Sequence, residues 1–374
     1  MSRERFLNDR DPSNPNLDYS QSPALVPGGG ALHFVAVLTA LATFPLIFMG
    51  GLVTSHQAGM SVPDWPNSYG YNMFLFPPRL WIGGILYEHT HRLMATVVGL
   101  LSIALVIASF QSRWAGRRER WLAASVLGVV ILQGVLGGLR VVLVKLDLAI
   151  VHACLAQAFF CLASFAAIET SRWWQTRPAA PPAEQTRARS LVILGVVSVF
   201  AIYAQLVVGA MMRHFQAGLA IPDLPLAYGK ILPPMNPAQL DAVNWARVRD
   251  LNLEPVTLGQ IWLHFGHRIG AVLVTALVLA LATTVLRRYA TEPKLRRPAI
   301  LLIGLILVQV SLGVLTVLMR KPADVASAHV AVGALVLATA FVLTARAIRL
   351  YGLFPRNRQA RAAAMNHSGL LMPQ

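Results

Sequence analysis

The sequence predicts an all-α integral membrane protein with eight transmembrane helices, arranged as two tandem four-helix bundles related by a parallel pseudo-two-fold repeat. Three observations carry that prediction. The 374 residues are 56% hydrophobic and only 13% charged, with a mean hydropathy of +0.57, whereas an ordinary soluble domain carries roughly 25% charged residues. Eight apolar runs, each near the ~20 residues that span a bilayer, alternate with polar loops. Finally, a block of the first half recurs in the second.

Taken in order, residues 1–30 are polar, Pro/Asn/Ser-rich and of mixed charge, so they read as a disordered cytoplasmic tail. They contain no short apolar core followed by a small-residue cleavage site, hence no expected cleavable signal peptide. Arg3, Arg5 and Arg10 are interleaved with Glu4, Asp9 and Asp11, unlike an acid-poor organelle transit peptide. The apolar runs fall at about 32–53, 88–110, 121–142, 149–169, 191–212, 261–286, 300–319 and 326–348. An N-terminal bundle would occupy 31–170 and a C-terminal bundle 191–350. Between them lies a linker, 171–190, containing Pro178, Pro181 and Pro182, and residues 351–374 form a second tail.

Charge sets the orientation. The formal net charge of +16 could suggest nucleic acid, but the cations lie in short loops between apolar runs, the positive-inside pattern. Loops with Arg113, Arg117, Arg118 and Arg120, with Arg172, Arg177, Arg187 and Arg189, and with Arg287, Arg288, Lys294, Arg296 and Arg297 alternate with nearly neutral ones. Both termini and the linker are therefore expected in the cytoplasm. The long loops 54–87 and 213–260 face outward, and their Pro, Gly and Trp content predicts ordered structure on the membrane surface. The two cysteines, Cys154 and Cys161, stand seven residues apart in one helical run, about 10 Å along the axis and too far for a disulfide.

The duplication is explicit. Gln57-Ala58-Gly59-Met60-Ser61-Val62-Pro63-Asp64-Trp65-Pro66 matches Gln216-Ala217-Gly218-Leu219-Ala220-Ile221-Pro222-Asp223-Leu224-Pro225 at six of ten positions. His91-Arg92 matches His267-Arg268, Gln133 and Gly137 match Gln309 and Gly313, and Asp147 and His152 match Asp324 and His329. An even number of spans per half makes the repeat parallel, about an axis along the membrane normal.

On that topology His91, His152, His267 and His329 all lie near the outer ends of even-numbered spans. Each half then offers two histidines at similar depth on different helices, a natural way to ligate a haem iron from both faces. Zinc would need a third or fourth protein ligand per half, and only His264 or Glu88 is placed to help. Buried histidines serving as interhelical hydrogen-bond glue are the plain structural alternative. The repeat breaks at one place: Glu88 aligns with His264, each about 4.5 Å, one turn, from the histidine of its His-Arg pair. A carboxylate there can act on a porphyrin edge as base or electrostatic stabiliser, or it pairs with a loop cation such as Arg79. Arg92 and Arg268 either neutralise haem propionates or anchor neighbouring carbonyls. Asp64 and Asp223 read as turn formers, Gln133 and Gln309 as interhelical hydrogen bonders, and Trp65, Trp81 and Trp262 as interfacial anchors. His89, without a counterpart, reads as incidental, as do His33, His56, His214 and His367.

The Glu88-x-x-His91-Arg92 motif, the histidines on spans two, four, six and eight, and the four-plus-four repeat together resemble the haem A synthase family, over about residues 32–348. The resemblance implies oxidation of the C8 methyl of haem O to a formyl group, giving haem A for cytochrome oxidase. It also implies haem b as cofactor in the C-terminal half, at His267 and His329. Substrate haem O would lie at His91 and His152 with Glu88 as the catalytic carboxylate and His264 beside the cofactor. Some bacterial members carry a cysteine pair in the first outer loop. Residues 54–87 contain none, so the chain resembles the cysteine-free subgroup and that loop holds no thiol relay. The setting implied is a bacterial cytoplasmic membrane and its lipid, with no nucleic-acid partner. Haem O synthase, cytochrome oxidase assembly factors and a homo-oligomer are compatible with that role. The rival classes are a dihaem electron-transfer protein that modifies neither haem, and a transporter, which the scarcity of midspan charges disfavours.

The orientation is testable by single-cysteine labelling at Asn67 and Asn236 in a variant lacking Cys154 and Cys161. Both sites should react with an impermeant reagent added outside intact cells; protection of both would rule out the eight-span orientation.

Overall fold

A helix in a bilayer must satisfy its backbone internally and needs about 20 residues to cross. The computed structural model describes residues 28–352. Among these, eight helices are long and apolar enough to cross a membrane: α1 Gly30–Ser55, α2 Gly84–Gln111, α3 Arg117–Leu143, α4 Leu146–Glu169, α5 Arg189–His214, α6 Leu258–Arg288, α7 Pro293–Leu318 and α8 Ala323–Tyr351. They outrun the apolar sequence because the chain continues as helix into polar ends. Glu119 starts α3 by accepting from the Gly116 amide at 2.8 Å ahead of its apolar run, and Thr257 with Gln260 forms a full capping box at the start of α6.

Two closed rings result. α1 packs on α2 and α4, and α3 closes on α2 and α4; α5, α6, α7 and α8 repeat the arrangement. One core cluster, with Leu32, Ala36, Val98, Leu105, Val126 and Phe159, fills the first ring. Another, with Val278, Leu281, Leu295, Leu302, Leu337 and Leu343, lies mostly in the second. The rings meet where α1 and α4 face α8, and α4 also faces α5. Exchanging the halves leaves this contact set unchanged. Ile47, Phe160, Ala334 and Ala338 form a small cluster across the seam. α8 is the most enclosed helix, and its buried residues include Ser327, Ala331, Gly333, Ala334, Ala338 and Ala340. Small side chains let backbones approach where lipid supplies no hydrophobic drive to associate. Ile193, Val197 and Phe200 instead leave α5 on its exposed side, as expected of a lipid-facing stripe.

The end carrying the linker is folded rather than loose. Arg172–Thr176 and Pro182–Arg187 are short helices within it. Arg177 pairs with Glu292 at 2.9 Å, Ala180 N–H donates to Leu350 O at 2.8 Å, and Arg349 Nε donates to Trp174 O at 3.1 Å. The tails expected at 1–30 and 351–374 lie almost wholly outside the described residues. Their inner boundaries shift, however: Gly28 and Gly29 are buried, Gly29 N–H donates to Thr170 O at 2.8 Å, and Gly30 already belongs to α1. Glycine is required at 28, where φ is +92° and a Cβ would meet the Arg172 backbone at 2.7 Å.

At the opposite end each ring carries an ordered loop. The loops share a short helical turn, Ala58–Met60 and Ala217–Leu219, and an isolated bridge, Ser68 with Tyr71 and Ala227 with Lys230. The second loop adds a helix, Pro237–Leu251.

The seam rests on Gly51, where an added Cβ would lie 3.1 Å from Ser327 Cβ and 3.2 Å from its Cα. Gly51→Val should overpack it and lower stability by about 1–3 kcal/mol, read as a lower unfolding temperature of the detergent-purified protein. Gly99→Val, whose Cβ meets nothing within 4 Å, should leave that temperature nearly unchanged.

Candidate functional site

The four repeated histidines lie at the loop end, and each ring packs against a glycine on the preceding helix. A Cβ at Gly50 would lie 3.1 Å from Cε1 of His91; at Gly137, 3.3 Å from His152; at Gly209, 3.1 Å from His267; at Gly313, 3.1 Å from His329. A larger residue at any of these positions would press on the ring, because the packing leaves no slack. The residue four places before each glycine addresses the same ring. His329 Nδ1 lies 3.1 Å from Gln309 O, and His267 Nδ1 lies 3.0 Å from the Gln205 side-chain amide. Leu46 and Gln133 present carbonyls to His91 and His152, whose buried Nδ1 atoms nevertheless make no hydrogen bond of good geometry. An imidazole turned this way, with Nδ1 toward the neighbouring backbone, directs Nε2 away from it. At His329 the Gln309 amide also lies 3.4 Å from Nε2.

His91 is within electrostatic reach of His152, and His267 of His329. Among the described residues no three His, Cys, Asp or Glu side chains converge on a metal-sized site, which removes the support zinc would need. Two cradled imidazoles per ring, each with Nδ1 turned to the neighbouring helix and Nε2 directed away from it, are residues that would hold a haem iron.

The loops brace these helices. Asp64 accepts from the amides of Tyr69 at 2.7 Å and Gly70 at 2.8 Å; Asp223 accepts from Tyr228 and Gly229, both at 2.8 Å. Partial burial works against the Asp64 charge, but the Gly70 and Tyr69 amides outweigh it and hold the carboxyl below its usual range. Both aspartates are turn formers. Arg92 reaches from α2 into its loop, donating to Asp64 O at 2.7 Å, Asn67 O at 3.0 Å and Val62 O at 2.8 Å. Arg268 likewise donates to Leu226 O at 3.0 Å and Ile221 O at 2.9 Å. Of the two roles open to these arginines, this is the anchoring one.

Glu88 and His264 occupy matching places with different partners. Glu88 is 4% exposed; its Oε1 accepts from Arg92 Nε at 3.3 Å, not from Arg79, and its Oε2 is buried without a partner. His264 is 2% exposed, and its Nδ1 accepts from the Ile221 amide at 3.2 Å. The first ring therefore holds a carboxylate with one unengaged oxygen, and the second a neutral hydrogen-bonding imidazole at the matching position.

Several residues were not singled out by the sequence reading. His89, read there as incidental, is fully buried: it lies 3.2 Å from Ser68 Oγ and packs on Phe76 and Trp81. It fastens the first loop where no repeat partner could signal it. Arg247 does that work in the second loop, donating to Glu254 O at 3.0 Å and Leu219 O at 3.0 Å. Gly50, Gln205 and Gly209 were also missed. The available signal was a Gln-x-x-x-Gly spacing that recurs at Gln133-Gly137, Gln205-Gly209 and Gln309-Gly313. Gly50 follows Leu46 instead and breaks it.

The sequence family described as cytochrome oxidase assembly protein matches residues 84–341. The chain is 28% identical to the haem A synthase of Shewanella oneidensis over 329 residues, covering 82% of this chain and 94% of that one. It is 30% identical to the haem A synthase of Symbiobacterium thermophilum over 295 residues, covering 76% and 85%. To the haem A synthase of Halalkalibacterium halodurans it is 28% identical over 305 residues, covering 80% and 91%.

The glycine contacts are directly testable. Gly313→Val should displace the His329 ring and remove most of the haem that co-purifies with the second ring, measured as haem per folded protein. Gly304→Val on the same helix, where a Cβ meets nothing within 4 Å, should retain it; equal loss from both would show that the contact does not matter.

Proposed function

The chain belongs to the cytochrome oxidase assembly protein family, the haem A synthases among it, and on that footing we propose that it is a membrane oxidoreductase converting haem O to haem A. His91 and His152 would hold the iron of the substrate, haem O, in the first ring. The C8 methyl would then be hydroxylated twice, each hydroxylation a two-electron oxidation of that carbon whose electrons leave through the second ring to an external acceptor. The geminal diol so formed loses water and leaves the formyl group. His267 and His329 would hold haem b in the second ring, where its iron supplies one-electron transfer. The protein would work in a bacterial cytoplasmic membrane with both termini inside, alongside haem O synthase and other cytochrome oxidase assembly factors.

The observation that carries this reading is the broken symmetry beside otherwise matched histidines. Glu88 keeps one carboxylate oxygen on Arg92 and the other without a partner, one turn from His91. Arg92 is itself clamped by three loop carbonyls, so the carboxylate is oriented before substrate arrives. Such a group can accept a proton from the reacting carbon or its hydroxyl, or stabilise positive charge that develops there. His264 is already bonded to Ile221 and suits a pocket whose occupant is retained unchanged. A dihaem electron carrier, the alternative, gives no reason for an oriented carboxylate beside only one of its haems.

Glu88→Gln preserves size but removes the charge and the base. It should fold, retain haem b and accumulate haem O or the singly hydroxylated product, with turnover lowered about 10²–10⁴-fold. His264→Ala should leave the same chemistry in place and lose activity mainly through weaker haem b retention or an altered potential. Extracted haems, identified by mass and normalised to folded protein, separate the two. Near wild-type haem A from Glu88→Gln together with none from His264→Ala would reverse the assignment of the rings.

A further inference from the structure

Arg140 is a cation that the reading so far does not use. It lies in the last turn of α3, half-buried, at the loop end of the first ring. Its guanidinium lies against Gly59, where any Cβ would overlap it, so the loop has glycine at the one point where the side chain must pass. Two residues earlier, Gly138 makes the same allowance for the Trp65 ring. The loop thus fixes where Arg140 goes.

What surrounds it is unusual. Arg140 is within electrostatic reach of Glu88, His91, His152 and His214. Among the described residues it makes no hydrogen bond and no ion pair, while Glu88 pairs with Arg92 instead. Among the described residues the other buried or half-buried arginines at this end are engaged, and so is Lys321, whereas the exposed Arg79, Lys145, Lys230 and Arg320 make no side-chain hydrogen bond. Arg92 and Arg268 hold loop carbonyls, Arg213 donates to Gly51 O and Ser55 Oγ, and Lys321, which lies against Gly218 as Arg140 lies against Gly59, donates to Gln216 Oε1 at 3.3 Å. A half-buried guanidinium beside two imidazoles, with the nearby Glu88 carboxylate engaged by Arg92, is unfavourable on its own. Its five planar donors match a carboxylate.

We propose that Arg140 is the carboxylate-binding residue of the first ring, engaging a propionate of haem O and thereby fixing which edge of the macrocycle meets Glu88. This rests on the reading of that ring as the substrate pocket. Haem O bears four ring methyls or methyl-derived positions but only two carboxylates, both on one side. The C8 methyl shares a pyrrole ring with one of them. The C5 methyl stands in the same relation to the other carboxylate, so holding one of the pair at Arg140, within electrostatic reach of Glu88, brings this edge, with its C5 and C8 methyls, to Glu88 and keeps the methyls of the opposite edge away. Axial histidines alone leave the ring free to turn about the iron. Arg140 is thus a specificity determinant, with Gly59 its positioning residue.

The test compares haem O with its dimethyl ester, which keeps the iron and the methyls but loses both charges. Each is titrated by difference spectroscopy into the purified holo-protein. Wild type should bind the acid about tenfold or more tighter than the ester, the scale of a charge-assisted hydrogen bond. Arg140→Met should weaken the acid to the level of the ester and leave the ester unchanged; Arg140→Lys should recover part of the preference. Equal binding of acid and ester by wild type overturns the proposal without any variant. So does a preference that survives in Arg140→Met, or an equal loss of both ligands there. His91→Ala separates the two levels: if it leaves haem O binding and spectrum intact, the substrate-pocket reading fails. If it abolishes binding while Arg140→Met keeps the preference, only the propionate anchor fails.

Discussion

The structure depends on backbone-close approach of paired helices at four points, Gly50, Gly137, Gly209 and Gly313. An imidazole directed inward from a membrane helix must be packed on one side and free on the other. The facing helix can meet that demand only by having no side chain at the point of contact. The 3.1–3.3 Å that would separate an added Cβ from each ring shows how completely the space is used. Once those contacts are set, the helix pairs α1–α2, α3–α4, α5–α6 and α7–α8 are fixed in depth, and two rings of four helices follow. The small residues of α8 then allow the rings to join. Ser327, two residues before His329, touches Gly51, one residue after Gly50, so the seam and both histidine sites share one rigid patch.

Much of this was legible in the sequence, because membrane constraints write themselves into composition. Eight spans, two ordered loops and the four histidines follow from apolar length and duplication, and the structure has all of them. Span ends were less legible: apolar runs stop where lipid stops, whereas helices such as α3 continue through Arg117–Arg120 on their own hydrogen bonds and caps. The glycines facing the histidines were half visible, since a repeat exposes only what both halves kept. Gln133 and Gln309 stood out in the comparison, but Leu46 stands where Gln205 does, which hid Gly50 and Gly209. His89 and Arg247 escaped for the same reason. Each fastens one loop by a different solution, and a pattern search across halves passes over residues without a partner. Arg140 was hidden differently: its significance lies in the partners it lacks, and a sequence does not show those.

Around the histidines the halves differ at Glu88 against His264, at Leu46 against Gln205 and in how each loop is closed, while the rest of the frame is held in common. Both loops start from a left-handed glutamine, Gln57 and Gln216, with φ of 54° in each. Both use an aspartate to hold a Tyr-Gly turn and an arginine from the following helix to hold loop carbonyls. This shared frame lets one position carry different chemistry in each half. In the first loop the carbonyls of Val62, Asp64 and Asn67 take the outer donors of Arg92 and leave Nε for Glu88. In the second, Ile221 serves two purposes: its carbonyl receives Arg268 and its amide meets His264.

That arrangement explains how a carboxylate can be kept in a membrane-facing pocket at all. A lone charge there would be expelled or neutralised, and a charge fully enclosed by donors would have nothing left for substrate. Arg92 resolves the conflict by engaging one oxygen only, because its remaining donors are committed to carbonyls of a loop that cannot follow the glutamate. In the second ring Arg268 holds loop carbonyls in the same way, but its Nε is buried without a partner, and the imidazole of His264 takes the Ile221 amide instead. The two rings thus differ, at this position, in whether a buried side-chain oxygen is left without a partner. That difference lies at one residue, 88 against 264, on a frame that both halves otherwise share.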